Sequence, residues 1–190
     1  PDFHLDLELI QKAITPKTKA IYINTPNNPT GVVYTKAELL ELGALAKKHD
    51  LWIISDEAYE CLTYDQEFCA INTLSEDLFN RTICIQSFSK TFCMTGFRLG
   101  YMIATKEFIK AVDKFQGHLC GNVPPFTQLG AKAALSVHHE VTKPLIDEMI
   151  IRRDLSFSLF SQIFPCHKPQ GAFYLFLNIQ KFIDSGLVKD

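Results

Sequence analysis

The amino-acid sequence predicts an α/β protein with a mostly parallel sheet flanked by helices, and two observations lead to this prediction. First, a short β-prone run at residues 19–24 leads into a cluster of turn-forming residues. Thr35 and Glu38 then form a capping box, and leucines recur at helical spacing up to His49. Second, a continuous apolar run at residues 51–55 follows at once, which is typical of a strand covered on both faces. The order of strand, helix and strand predicts a βαβ unit.

The rest of the sequence continues to alternate between strand and helix patterns. Apolar runs predict further strands at residues 82–86 and 98–104. Residues 171–177 return to an apolar run, which we interpret as another strand. Helical periodicity predicts helices at residues 106–120, 125–138 and 143–164. The last of these is long enough to connect two domains.

Composition and charge are those of an ordinary globular chain. The 190 residues are 47% hydrophobic and 21% charged, with a formal net charge of -2 at pH 7. This charge balance lacks the excess of basic residues that binding to nucleic acid requires, so we expect no nucleic-acid partner. The apolar stretches are much shorter than the roughly 20 residues of a membrane-spanning helix, so we expect no membrane partner. The chain begins at Pro1 without signal-peptide features, and we therefore expect a fragment.

The cysteines indicate a reducing environment. All six are scattered along the chain, and no two of them form a CxxC pair. This distribution favours reduced thiols over a disulfide framework or a zinc ribbon. The histidines at 138 and 139 lack the spacing of a zinc-binding helix, so no metal site is expected. We therefore expect an intracellular, cytoplasmic protein.

Polar residues follow the ends of three predicted strands. The carboxyl ends of parallel strands meet at one edge of a sheet, which is where ligands bind in open α/β folds. The side chains expected at this edge are Asn28, Asp56, Tyr59, Ser87, Lys90 and Arg98. Arg98 and Ser87 could bind a phosphate, the charged groups could form a structural ion pair, and the amine of Lys90 could form a Schiff base. The residues alone leave these alternatives open.

Three motifs that contain these residues resemble one protein family. They are PNNPTG at residues 26–31, SDEAY at 55–59 and SFSKTFCMTGFRLGY at 87–101. Together, and in this order, they resemble the class I/II aminotransferases among the fold-type I pyridoxal-phosphate enzymes. Each motif is weak alone, but the three in sequence are specific, and the similarity extends from about residue 19 to residue 177.

The resemblance implies a role for each predicted site residue, with pyridoxal 5'-phosphate as the cofactor. Lys90 resembles the lysine that binds the cofactor covalently and then transfers a proton at the substrate Cα. Asp56 resembles the carboxylate that keeps the pyridine nitrogen protonated. Tyr59 and Asn28 resemble the pair that hydrogen-bonds the 3' oxygen of the cofactor.

Two further residues resemble ligands of the cofactor phosphate. Arg98 has a planar guanidinium suited to two charge-assisted hydrogen bonds, and Ser87 supplies a hydroxyl. Other groups of the family's site, a phosphate-binding glycine turn and a carboxylate-binding arginine, have no counterpart in this sequence. The 190 residues by themselves are therefore expected to be inactive.

The resemblance also implies domain organisation and function. Residues 1–150 resemble part of the large cofactor-binding domain, and residues 151–190 resemble a connecting helix and the beginning of a small C-terminal domain. The implied activity is transfer of an amino group between an L-amino acid and a 2-oxo acid, by an enzyme that is a homodimer at full length. Two alternatives remain: another fold-type I enzyme such as a C–S lyase, and a folded but catalytically silent fragment.

Overall fold

The computed structural model of the chain describes residues 2–187. Its strands are β1 Ala20–Asn24, β2 Trp52–Asp56, β3 Thr82–Ser87 and β4 Gly100–Ile103. Its helices are α1 Leu7–Ala13, α2 Lys36–Lys48, α3 Glu76–Arg81, α4 Phe88–Thr91, α5 Lys106–Leu119, α6 Pro125–Ser136, α7 His138–Phe160 and α8 Gln180–Asp184. Two short 3-10 turns, Ile71–Thr73 and Thr95–Phe97, complete the regular structure.

The four strands form one mixed sheet in the order β1-β2-β3-β4. The first three are parallel, and β4 returns antiparallel to β3. The register places Asn24 opposite Asp56, so the carboxyl ends of β1 and β2 are level. The predicted α/β class is therefore confirmed, and the sheet edge predicted to carry the site exists.

Helix α2 connects the two parallel strands of the βαβ unit and contributes Leu39, Leu42 and Ala46 to its core. The capping box is present: the Thr35 hydroxyl accepts from the Glu38 N–H at 3.3 Å, and the Glu38 carboxylate accepts from the Thr35 N–H at 2.7 Å. The apolar face of α2 then buries Leu39 and Leu42 completely against Ile53 of β2. This core covers one face of the β1-β2 pair, whereas Tyr22 and Trp52 on the other face are 59% and 40% exposed, so the expected covering of both faces of β2 is wrong.

Helix α7 starts earlier than the sequence predicted. The expected helix began at residue 143, whereas the structure continues helical from His138 to Phe160 with Pro144 inside it. A proline lacks an N–H group and is commonly found near helix starts, which is why the sequence pattern placed the boundary there. The predicted domain boundary at residue 150 falls within this helix, and the division into 1–150 and 151–190 remains a prediction.

Among residues 2–187, none of the helices combines the length and the apolar character that a membrane span requires.

The predicted strand at residues 171–177 is wrong. Its two ends form only isolated bridges, Gly171 with Thr63 and Leu177 with Cys166, around a turn. Ala172 has a positive φ of 56°, which a continuous strand does not permit. Backbone hydrogen bonds hold the segment instead: the Gly171 N–H donates to Gly31 at 2.9 Å and the Ala172 N–H donates to Leu62 at 2.8 Å. The apolar residues here pack on the site loops and do not extend the sheet.

Candidate active site

Asp56 ends β2, and neighbouring groups orient its carboxylate. Oδ2 accepts a hydrogen bond from the Tyr22 hydroxyl at 2.7 Å, and Oδ1 accepts from the Ala58 N–H at 3.2 Å. Burial, together with this hydrogen bond to Asp56, raises the pKa of Tyr22 to about 12. The sequence analysis missed Tyr22; the available signal was a phenol on a strand, two residues before the strand end.

Tyr59 is buried at the same edge, one turn after β2. Its side chain is 5% exposed, and its ring makes edge contacts with Phe173 at 5.2 Å and Tyr174 at 5.6 Å between centroids. Its hydroxyl hydrogen-bonds the Tyr174 hydroxyl. Burial has the largest effect on the pKa of Tyr59 and raises it, and Tyr174 and the charge of Asp56 raise it further. The Asn28 side chain has the opposite effect. Tyr59 is therefore a protonated phenol at neutral pH.

Lys90 lies in α4, the single helical turn that follows β3. Its Nζ lies 5.9 Å from the centroid of the Tyr59 ring and 5.5 Å from that of Phe173. No carboxylate of residues 2–187 lies within 4.0 Å of this amine. The side chain is half-buried against two aromatic rings, so the amine is held beside the Tyr59 phenol without an ion-pair partner.

Thr91, the residue after Lys90, is hydrogen-bonded to the turn that follows β2. Thr91 is buried, and its hydroxyl donates to Glu60 Oε1 at 2.8 Å. Burial raises the pKa of the Glu60 carboxyl, and the hydrogen bond from Thr91 partly offsets this effect. Oε2 of Glu60 has no hydrogen-bond partner among the described residues. The contact connects the turn after β2 to α4 and so helps to fix the position of Lys90 relative to Tyr59.

Ser87 and Arg98 occupy the antiparallel return from β3 to β4. Ser87 lies opposite Gly100, and the Phe88 N–H donates to the Leu99 carbonyl at 3.2 Å, so the Arg98 backbone lies next to the end of β3. The close strand approach needs glycine here, because a Cβ on Gly100 would lie 2.6 Å from the Gln86 carbonyl oxygen. The Ser87 hydroxyl accepts from the Ser89 N–H at 3.1 Å.

The side chain of Arg98 is directed differently from the others. It is exposed, its backbone is left-handed with φ 53°, and its Nη1 donates to the Thr95 carbonyl at 2.8 Å. It lines an open groove of about 840 Å³ that none of the other five predicted site residues lines. The structure thus brings Asn28, Asp56 and Lys90 around Tyr59, whereas Ser87 ends β3 and Arg98 lies on the turn before β4.

Sequence reasoning also missed the aromatic side of the cluster. Phe173 and Tyr174 contact Tyr59 although they lie more than 110 residues further along the chain. The apolar run at residues 171–177 predicted only a strand. A buried tyrosine with no partner on its own loop was the available signal, since a buried hydroxyl requires a hydrogen-bond partner.

The sequence profile of the family described as Aminotransferase class I and II matches residues 1–185. Among curated proteins, the chain is 40% identical over 191 residues to an aspartate aminotransferase of Bacillus subtilis, covering 99% of this chain and 49% of that protein. It is 39% identical to aromatic-amino-acid aminotransferase 2 of Thermococcus litoralis, covering 98% of this chain and 48% of that protein.

Solved structures show the same fold. An aromatic aminotransferase of Pyrococcus horikoshii superimposes with a TM-score of 0.91 at 38% identity, over 97% of this chain and 50% of that chain. A Thermus thermophilus aspartate aminotransferase gives 0.90 at 32% identity, over 95% of this chain and 48% of that chain.

The chain belongs to the aminotransferase class I and II family, as its three motifs predicted. It spans about half the length of the curated relatives it matches. The individual roles assigned to the six site residues remain predictions.

Proposed function

We propose that the protein is a pyridoxal-phosphate-dependent aminotransferase that moves an amino group between an L-amino acid and a 2-oxo acid. The observation that carries this proposal is the amine of Lys90, which is held without a carboxylate partner beside the buried phenol of Tyr59. A structural lysine is normally ion-paired or solvated, whereas this one is half-buried against aromatic rings at a sheet edge where ligands bind.

The donor set fits the proposed cofactor. The cofactor is aromatic, anionic at its phosphate and electrophilic at its aldehyde, and the cluster offers a carboxylate, a phenol, an amine and an adjoining guanidinium. When bound, pyridoxal phosphate supplies an electron sink for the carbanion formed at the substrate Cα. Lys90 would hold it covalently, Asp56 would face its ring nitrogen, and Tyr59 with Asn28 would face its 3' oxygen. Ser87 and Arg98 would bind its phosphate.

The contacts of three of these residues, Asp56, Tyr59 and Lys90, support their proposed tasks. Tyr22 and the Ala58 N–H orient the Asp56 carboxylate, which would pair with a protonated ring nitrogen. Tyr59 is protonated at neutral pH and can donate a hydrogen bond to an anionic oxygen. The Nζ of Lys90, once free, is the base that would take the Cα proton and return it.

The relatives support the choice of reaction and substrates. Those reported above are named as aminotransferases of aspartate or aromatic amino acids, which favours amino transfer over C–S cleavage and a silent fold. An amino acid and a 2-oxo acid are therefore the proposed substrates.

We also propose a homodimer and a cytoplasmic location for the full-length protein. Large exposed apolar side chains on α5 and α6 support association with a second copy. The six free cysteines in the described part of the chain support a reducing compartment.

Covalent trapping tests the proposed cofactor site directly. The chain is mixed with pyridoxal phosphate, reduced with borohydride, and digested for mass spectrometry. We expect the modified peptide to contain Lys90. The Lys90→Ala variant should lose this label, whereas Lys132→Ala, which removes an exposed lysine on α6, should retain it.

Two results would contradict the proposal. One is labelling spread evenly over the exposed lysines; the other is a Lys90 label that persists when the phosphate-free aldehyde pyridoxal replaces pyridoxal phosphate at the same concentration. The second comparison separates a phosphate-binding site from a merely reactive amine. Circular dichroism of Lys90→Ala verifies that the variant is folded.

A further inference from the structure

The hydroxyl pair formed by Tyr59 and Tyr174 joins two distant parts of the chain. The residues are 115 positions apart, and their hydroxyls are in direct hydrogen-bond contact. Their rings also meet edge to plane, at 5.6 Å and 78°. Tyr59 is 5% exposed, so water does not replace the partner readily. Tyr174 is therefore the group that satisfies a buried hydroxyl within the candidate active site.

The segment that carries Tyr174 is firmly held. Ala172 is completely buried, its N–H donates to the Leu62 carbonyl at 2.8 Å, and its own carbonyl accepts from the Tyr64 hydroxyl. A Cβ on Gly171 would lie 2.8 Å from the Leu62 oxygen, so the backbone is packed as closely as glycine allows. Because these anchors precede Tyr174 by only two and three residues, its hydroxyl is directed at Tyr59 by a fixed backbone.

The surroundings of Tyr59 show what the pair does. The charge of Asp56 raises the pKa of Tyr59, and the amine of Lys90 lies 5.9 Å from the centroid of its ring. Asn28 faces the same hydroxyl from the loop after β1. A tyrosine hydroxyl has one proton to donate and two lone pairs, so it can accept from one neighbour and donate to another. Tyr174 can thus hold the Tyr59 oxygen while the Tyr59 proton turns toward a ligand.

We propose that Tyr174 is a positioning residue that holds the Tyr59 hydroxyl for hydrogen bonding to the 3' oxygen of the cofactor. This inference rests on the proposed function for the identity of the ligand. It assigns to the C-terminal segment of the chain a task in the site formed by the sheet loops. Phe173 contributes ring packing to the same tyrosine and no hydrogen bond, which makes it the matched comparison.

Nuclear magnetic resonance of the chain labelled at tyrosine Cζ tests the pairing without any cofactor. The Tyr59 resonance is assigned with Tyr59→Phe and followed as the pH is raised. Tyr174→Phe removes only a hydroxyl, and we expect the onset of Tyr59 ionisation to shift by about one pH unit, the effect of losing one hydrogen bond. Phe173→Leu loosens ring packing and should leave the onset within a few tenths of a unit of the wild type.

The outcomes separate the inference from the proposed function. Equal onset of Tyr59 ionisation in wild type and Tyr174→Phe overturns the inference, and so does an equal shift in Phe173→Leu. The same variants are then treated with pyridoxal phosphate below saturation and reduced; we expect several-fold less Lys90 label in Tyr174→Phe than in wild type. A shifted ionisation onset in Tyr174→Phe with no Lys90 label in wild type would reject the proposed cofactor site while keeping the tyrosine pair. Unchanged label in Tyr174→Phe would overturn the role toward the cofactor.

Discussion

The βαβ unit and the α5–α6 region of the same chain differ sharply in how they bury apolar side chains. In the βαβ unit, Leu39 and Leu42 of α2 and Ile53 of β2 are completely buried. In α5 no residue is buried, and Phe115 is 70% exposed; Phe126 on α6 is 73% exposed. Both regions have helical apolar periodicity, so the periodicity alone does not explain burial.

The difference shows that an apolar stripe forms a core only when a second surface covers it. The stripe of α2 lies on the β1-β2 pair, whereas the stripes of α5 and α6 face outward in this chain. Contiguous exposed apolar surface of this kind marks an interaction surface or an aggregation risk. Since the chain spans about half the length of its curated relatives, the bare stripes are consistent with the proposed association of full-length copies.

The largest expected effect comes from a matched pair of leucine substitutions in the two regions. Leu42→Ala removes a completely buried side chain, and we expect the free energy of unfolding to fall by about 2–5 kcal/mol. Leu129→Ala on α6 removes a side chain that is 67% exposed, and we expect a change within about 0.5 kcal/mol. Urea unfolding followed by circular dichroism measures both.

A comparable loss in the two variants would break the comparison. It would mean that Leu129 is covered in solution, for example by a second copy of the chain. Repeating the measurement at several protein concentrations distinguishes this case, because association makes the apparent stability depend on concentration.

The next largest effect concerns the capping box that starts α2. The Glu38 carboxylate is partly desolvated, but hydrogen bonds from Thr35, from the Leu5 N–H and from His4 outweigh this, so its pKa lies below the ordinary 4.5. A lowered folded-state pKa adds stability that is present above the unfolded value and is lost as the pH falls through the folded value. The wild type should therefore lose stability as the pH falls below about 4.5.

Two variants separate the cap from the titration. Thr35→Ala should cost about 1 kcal/mol at pH 7 through loss of the N-cap hydroxyl. Glu38→Gln should flatten the acid-side loss, because the substituted amide does not titrate. Urea midpoints at pH 3, 5 and 7 provide the measurement. An acid-side loss of the same size in Glu38→Gln would assign it to other carboxylates.

The smallest expected effect on unfolding comes from substitutions in the exposed apolar stripes of α5 and α6. These substitutions should change self-association instead. Phe115→Ser with Phe126→Ser removes two side chains that are at least 70% exposed, so the free energy of unfolding should change by less than about 1 kcal/mol. We expect this double variant to associate less than the wild type at equal concentration, measured by sedimentation velocity. The matched control is Lys110→Ser with Lys132→Ser on the same two helices, which should not reduce association.

Much of the fold and the choice of site residues could be predicted from the sequence. The capping box at Thr35, the βαβ order and the sheet edge carrying Asp56 and Lys90 are local patterns or follow from the rule for parallel strands. The family was recognised from contiguous motifs, and the match over residues 1–185 confirms it. The strand predicted at 171–177 was wrong because apolar, β-prone residues do not reveal which surface they will contact.

The sequence by itself determined the βαβ order, the family and the set of polar groups, because each depends on residues close together in the chain. Only the tertiary structure decided that Tyr174 reaches the Tyr59 hydroxyl, that Tyr22 orients Asp56, and which apolar stripes are covered. These contacts join residues 34 to 115 positions apart. Pairings at such separations are set by the packing of whole elements, which no local pattern encodes.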